Sequence, residues 1–244
     1  PTKGWVIGRG SMVPKYELEQ GKNLIDVICE IVDKDHTLNH FIFSSVCKAK
    51  EPINNNPVPS HFQTKWNIED HISKTGLKEL TTFLRPASYF ENFNSDLPGI
   101  KISNLVFPGI VHPEKKWQTI AVDDVGQWAN ACFNFPDKFI GKGLNIAGEE
   151  LTGNEMAELL QEINSKKTKY YMLPRTFIKL LEHDIAVMAD WIERAGYGAD
   201  IEKLKCLADE VGINITSLSS WLKKNHLNNN PTNLKNMPFS FILK

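Results

Sequence analysis

The sequence is short of cysteine, of long apolar runs and of excess charge. Four cysteines, Cys29, Cys47, Cys132 and Cys206, stand far apart, and none forms a C-x-x-C pair. A zinc site or a disulfide framework is therefore not expected. They read instead as reduced thiols in a cytosolic protein. No stretch approaches the roughly 18 uninterrupted apolar residues of a membrane helix, and no signal peptide is expected. Lys and Arg number 28 against 29 Asp and Glu, a formal net charge of −1. That balance argues against a nucleic-acid groove, which is usually basic.

What is present suits an ordinary globular protein. Apolar residues make up 41% of the 244, enough for a sizeable core and too many for a disordered chain. At about 150 residues per domain, the length allows one or two domains. The first residue is Pro1 rather than a methionine, and the natural polypeptide is expected to extend upstream of it.

Periodicity places the elements. Leu18, Leu24, Ile25, Ile28, Ile31 and Val32 recur at helical steps and predict a helix over 16–35. The run His40–Val46 is short, apolar and aromatic, as in a buried strand. A Pro- and Asn-rich loop at 50–60 precedes a helix over 61–76, with Gly76 at its C-cap. Leu80–Leu84 is a strand stopped by Arg85-Pro86. Further strands are expected at 117–122, 144–147 and 169–172. Helices are expected from Asp123 or Asp124 to about Phe133, from the cap Thr152 to about Asn164, over 174–195 and over much of 199–225. His112–Lys116 reads as a hairpin tip. The alternation of strand and helix predicts an α/β fold with a parallel sheet. In such sheets ligands bind beyond the carboxyl ends of the strands. Attention therefore falls on Ser44-Ser45-Val46 and on Arg85–Phe90.

One constellation there carries chemistry. Ser45 ends a strand, and about sixteen residues later His61 and Lys65 open a helix at an i, i+4 spacing that puts them on one face. Short-chain dehydrogenases place a serine, a tyrosine and a lysine in this way, with the lysine lowering the tyrosine pKa and holding the nicotinamide ribose. Here His61 stands where the tyrosine would. Imidazole shuttles protons near neutral pH, but its reach is shorter.

Several segments in order carry a resemblance. They are Tyr16–Asp26; His40–Val46; His61-Phe62-x-x-Lys65 with Ile68-Glu69; Leu84–Phe93; Ala121–Gly126; and Gly143–Gly153. Gly196-Tyr197 and Trp221-Leu222 extend it. Together they cover about 16–225 and resemble the NmrA-like family of atypical short-chain dehydrogenases. The resemblance implies a Rossmann-like parallel sheet (here missing its first strands) with a smaller C-terminal α/β domain. The dinucleotide-binding part is expected at 1–100 and 117–148, and the smaller substrate or partner domain at 101–116 and 149–244. It implies NADP or NAD as cofactor, bound by Ser45, Lys65, Pro86, Ala87 and Tyr89. His61 and Lys65 would be the catalytic pair in an enzyme, and no metal is implied.

Two functions follow from that resemblance. One is a redox-sensing regulator with little turnover, acting on a protein partner such as a transcription factor, in the cytoplasm or the nucleus. The other is an NAD(P)H-dependent reductase of a small carbonyl or quinone. His61 favours the regulator, and Tyr89 as a surrogate acid favours the enzyme. One departure is large: the 244 residues contain no G-x-x-G-x-x-G turn for the pyrophosphate. Gly8-Arg9-Gly10 lacks a third glycine. The pyrophosphate-binding segment is expected upstream, and this chain alone is expected to bind NADP weakly.

Overall fold

The computed structural model describes residues 13–35, 37–48, 57–93, 102 and 106–227. In chain order the elements begin with α1 (Val13–Asp35), β1 (Phe41–Ser44), α2 (Ser60–Ile72), a 3₁₀ turn (Gly76–Leu80), β2 (Thr81–Pro86) and β3 (Ser88–Tyr89). After a second 3₁₀ turn (Phe90–Phe93) come β4 (Val106–Gly109), β5 (Trp117–Ile120), α3 (Val122–Asn134), α4 (Pro136–Phe139), β6 (Gly143–Ile146) and β7 (Glu149–Leu151). The chain continues through α5 (Gly153–Asn164), β8 (Lys169–Met172), α6 (Arg175–Leu181), α7 (His183–Arg194), α8 (Ile201–Val211) and α9 (Leu218–Leu222).

The central sheet runs β1-β2-β6, parallel throughout, with Phe43 opposite Phe83 and Arg85 opposite Asn145. β2 is buried along almost its whole length, as a strand covered on both faces should be. Alternation assigns its side chains to two cores. Phe83 joins Ile25 of α1, Ile68 and Ile72 of α2 and Leu77 on one side. Leu84 joins Trp128, Ala131 and Cys132 of α3 on the other. This is a helix–sheet–helix sandwich of Rossmann-like type. α1 and α2 approach closely because Gly21 has no side chain; a Cβ there would meet Ile68 at 2.5 Å. Two smaller sheets extend the molecule: β3-β5-β7, and β4 paired in parallel with β8.

Several expectations need correction. The segment 174–195 is two helices, α6 and α7. The break falls at Glu182, whose backbone is extended and whose carboxylate caps α7 by accepting from Asp184 N–H. The residues His112–Lys116 do not tip a hairpin, because β4 and β5 on either side belong to different sheets. Neither aspartate at 123–124 caps α3, where Ala121 is the N-cap. The Asp124 carboxylate instead accepts from Thr216 N–H at 2.8 Å and Thr216 Oγ1 at 2.7 Å. α2 stops at Ile72, capped by Ser73, so Gly76 opens the 3₁₀ turn instead of closing the helix. The helix capped by Thr152 is as expected, with a reciprocal capping box to Glu155. The strand at 169–172 is also as expected. Gly8-Arg9-Gly10 and the Asn-rich segments at 54–56 and 228–230 lie outside the described residues.

Candidate functional site

The carboxyl ends of the three central strands lie side by side. Just beyond β1, Ser45 N–H donates to Leu84 O at 2.8 Å and Cys47 N–H to Pro86 O at 3.3 Å. Beyond β2, Ala87 N–H donates to Ile146 O at 2.9 Å. Ser45, Pro86 and Ala87 therefore share one rim. Tyr89 follows two residues on in β3, opposite Ile120. All four sit where the topology predicts a ligand. The rim is firm: Cys47 Sγ donates to Arg85 O at 2.9 Å, and burial pushes its thiol well above the ordinary range.

α2 leans over the rim, with Trp66 Nε1 donating to Val46 O at 3.4 Å. His61, Lys65 and Glu69 follow one another at i, i+4 spacing, yet each has a different partner. Lys65 Nζ pairs with Glu17 of α1 at 2.8 Å and lies over the Phe43 ring. Its side chain keeps 22% of its surface, which leaves the ammonium reachable. Glu69 is 2% exposed and takes a bidentate grip from Arg85, Nε at 2.9 Å and Nη2 at 2.7 Å, with Lys48 at 3.1 Å. Burial alone would raise the Glu69 pKa, but the Arg85 bonds and charge, helped by Ser45 and Lys48, hold it below the usual carboxylate range. The Arg85 guanidinium lies across Gly143, where a Cβ would meet it at 2.5 Å.

His61 is held from elsewhere in the chain. Its ring Nδ1 hydrogen-bonds Asp184 Oδ2, near the start of α7. Asp184 Oδ1 also accepts from Ser60 N–H at 2.7 Å, and Oδ2 from His61 N–H at 3.4 Å. Burial raises the Asp184 pKa, and the His61 and Ser60 hydrogen bonds bring it below its ordinary value. A second tie runs from Arg194, at the end of α7, to Pro57 O at 3.2 Å. Between them Phe62, Trp191 and Tyr197 pack edge-on, with Phe62 and Trp191 centroids 5.0 Å apart. Tyr89 is raised to about 12, by burial first and then by the charge of Glu91.

His61 and Lys65 thus share a helix face, but their polar groups are engaged in different directions. Sequence reasoning missed Asp184, which lies 123 residues from His61 in a segment whose only visible signal was an apolar stripe. It also missed the Glu69–Arg85 pair. There the visible signal was a carboxylate on the His61–Lys65 face and an arginine at a strand end.

A nicotinamide riboside needs a cation for its ribose and an apolar wall for its ring; α2 offers Lys65, and the rim offers Pro86, Ala87 and Tyr89. Among the described residues there is no glycine-rich turn for a pyrophosphate.

A parallel Rossmann-like sheet covered by helices on both faces defines the class: an α/β protein of the dinucleotide-binding fold type. The chain belongs to the NmrA-like family, whose model matches residues 9–222. It is 25% identical over 220 residues to an NmrA-like family domain-containing protein of Dictyostelium discoideum, covering 85% of this chain and 70% of that protein. Among solved structures it resembles NmrA, a negative transcriptional regulator in complex with NADP, with a TM-score of 0.66 and 17% identity, covering 86% of this chain and 69% of that one. It also resembles an NADPH-dependent quinone oxidoreductase from Escherichia coli, with a TM-score of 0.63 and 18% identity, covering 86% and 74%. At such identities these structures establish the fold alone. No helix among the described residues is long and apolar enough to cross a membrane.

Proposed function

We propose that this protein is an NAD(P)-binding, redox-sensing regulator with little or no dehydrogenase turnover. The observation that carries this reading is the His61–Asp184 pair. Reduction of a carbonyl or quinone needs a proton delivered to the developing oxyanion. In related dehydrogenases a tyrosine beside the lysine delivers it. Here His61 occupies that position, and its Nδ1 proton is committed to the Asp184 carboxylate. The imidazole is also shorter than a phenol, so its Nε2 stops short of where the tyrosine oxygen would deliver the proton. Tyr89 is a poor substitute, since its phenol is held up at about 12. The nicotinamide dinucleotide would supply the redox-active group when bound. Lys65 would hold its ribose, and Pro86, Ala87 and Tyr89 would shape the ring pocket beside Ser45.

The same pair gives the site an output. Asp184 stands at the start of α7, so a change at His61 reaches that helix directly. The expected partner is a regulatory protein such as a transcription factor, in the cytoplasm or the nucleus, with no direct nucleic-acid contact. That the solved relatives include both a transcriptional regulator and a reductase supports a fold used in both ways. A sensor must bind the two redox states, or the two nucleotides, with different affinity, because equal affinity shifts nothing. Calorimetry with NADP, NADPH, NAD and NADH on the full-length protein tests this. At least a fivefold spread among the four is expected, and equal affinities would overturn the sensing role.

A further inference from the structure

Asp184 is more than a neighbour of His61. α2 starts after Pro59, which offers no capping side chain. Its first turn is closed from outside by one carboxylate, which takes Ser60 N–H, His61 N–H and the His61 ring together. The carboxyl is held below its ordinary range, and an ionised carboxylate only accepts hydrogen bonds. The ring nitrogen facing it, Nδ1, must therefore carry the hydrogen. In the neutral ring Nε2 is then a bare acceptor. The His61 side chain keeps 22% of its surface, so a ligand can reach that atom.

We propose that Asp184 is a positioning residue of the dinucleotide site: it locks His61 in the Nδ1–H form and presents Nε2 as an acceptor to a hydroxyl or amide N–H on the nicotinamide-riboside end of the ligand. This rests on the dinucleotide reading given above. The chemistry selects a donor. A phosphate or carboxylate oxygen would meet the Nε2 lone pair and be repelled, whereas ribose hydroxyls and the carboxamide N–H would be received. The lock comes from α7, so ligand affinity depends on a helix distant in sequence.

The variant that isolates this role is Asp184→Asn. The amide oxygen can still accept from Ser60 N–H, so the helix start keeps a cap. The amide NH₂ then faces the ring and donates to Nδ1, which moves the ring hydrogen to Nε2. Two measurements on the full-length protein follow. Nitrogen-15 NMR of the histidine side chains, with His61 assigned by loss of its signal in His61→Gln, reads the tautomer. Calorimetry with NADP reads affinity in the wild type, Asp184→Asn, His61→Gln and the double variant.

The expected result is an Nδ1–H tautomer in the wild type and Nε2–H in Asp184→Asn. NADP affinity should fall roughly 3- to 10-fold in that variant, the range of one neutral hydrogen bond, with less than a twofold further change when Asp184→Asn is added to His61→Gln. An Nε2–H tautomer or a doubly protonated ring in the wild type at neutral pH, or an unchanged tautomer in Asp184→Asn, would overturn the lock. A switched tautomer with unchanged affinity would overturn the claim that Nε2 faces the ligand. An equal loss in the His61→Gln background would show that Asp184 acts only as a helix cap, which also overturns it. If the wild type binds no dinucleotide, the functional reading fails and with it the ligand assignment, while the tautomer still decides whether Asp184 positions His61.

Discussion

Glu69→Ala should be among the most damaging single changes near the rim. The carboxylate is 2% exposed and accepts two charge-assisted bonds from Arg85, with Lys48 at 3.1 Å. Removing one partner of a buried pair costs about 3–5 kcal/mol, because the other charge is left uncompensated. Arg85 keeps 19% of its side-chain surface and Lys48 34%, so water recovers part of that loss. The expected cost is about 2–4 kcal/mol, to which the Ala cavity adds little beside a group already near the rim. For a chain of this size each kcal/mol moves the melting temperature by about 2–4 °C, giving a drop of roughly 4–16 °C. Calorimetric melting and urea unfolding measure it. The pH dependence adds a second check. The folded pKa of Glu69 lies below its ordinary value, so protonation favours the unfolded chain. The contribution is complete above the ordinary carboxylate range, about pH 4.3, and is lost as pH falls through the folded value. The gap between wild type and a Glu69→Gln variant should therefore narrow on acidification. A cost below about 0.5 kcal/mol for Glu69→Ala at neutral pH would refute the reasoning.

Other consequences are simpler to check. Thr152→Ala removes the capping box of α5 and should cost about 1 kcal/mol in urea unfolding. Timed thiol labelling should modify the exposed Cys206 first, with the buried Cys47 and Cys132 reacting only on unfolding; burial holds the Cys132 thiol up at about 11. In the full-length protein, Lys65→Ala should weaken dinucleotide binding roughly 10- to 100-fold, as expected for a lost charged hydrogen bond of about 1.5–3 kcal/mol. Unchanged affinity would return Lys65 to its ion pair with Glu17 as a purely structural residue.

Much of the central fold was legible because its signals are local. The run at 40–46 and the run before Arg85-Pro86 mark β1 and β2 by apolar content and a breaker, and their pairing follows from the helix between them. Thr152 and Glu155 announce their helix through a short-range exchange of hydrogen bonds. What stayed hidden depends on distant residues. The short strands β3, β4 and β7 exist through their partners in β5 and β8; four residues such as Val106–Gly109 carry no period of their own. The break at Glu182 was masked by a continuous apolar stripe across 177–191, which two helices packed in sequence can share. The rim residues Ser45, Pro86 and Ala87 could be placed because strand ends in parallel sheets are predictable. Asp184 could not, since nothing near position 184 reports that a histidine 123 residues earlier will meet it.

The central claim is that the His61 position supplies the proton of turnover poorly, its short ring being held toward Asp184. The most direct test follows NADPH oxidation by absorbance with the full-length protein, using a panel of quinones and small carbonyls at neutral pH. The account predicts rates far below one per second, with dinucleotide binding intact in the same preparation. Turnover at ordinary enzyme rates, on the order of 1–10³ per second, and its loss in His61→Gln, would contradict the sensor account and make the His61–Asp184 pair a catalytic acid.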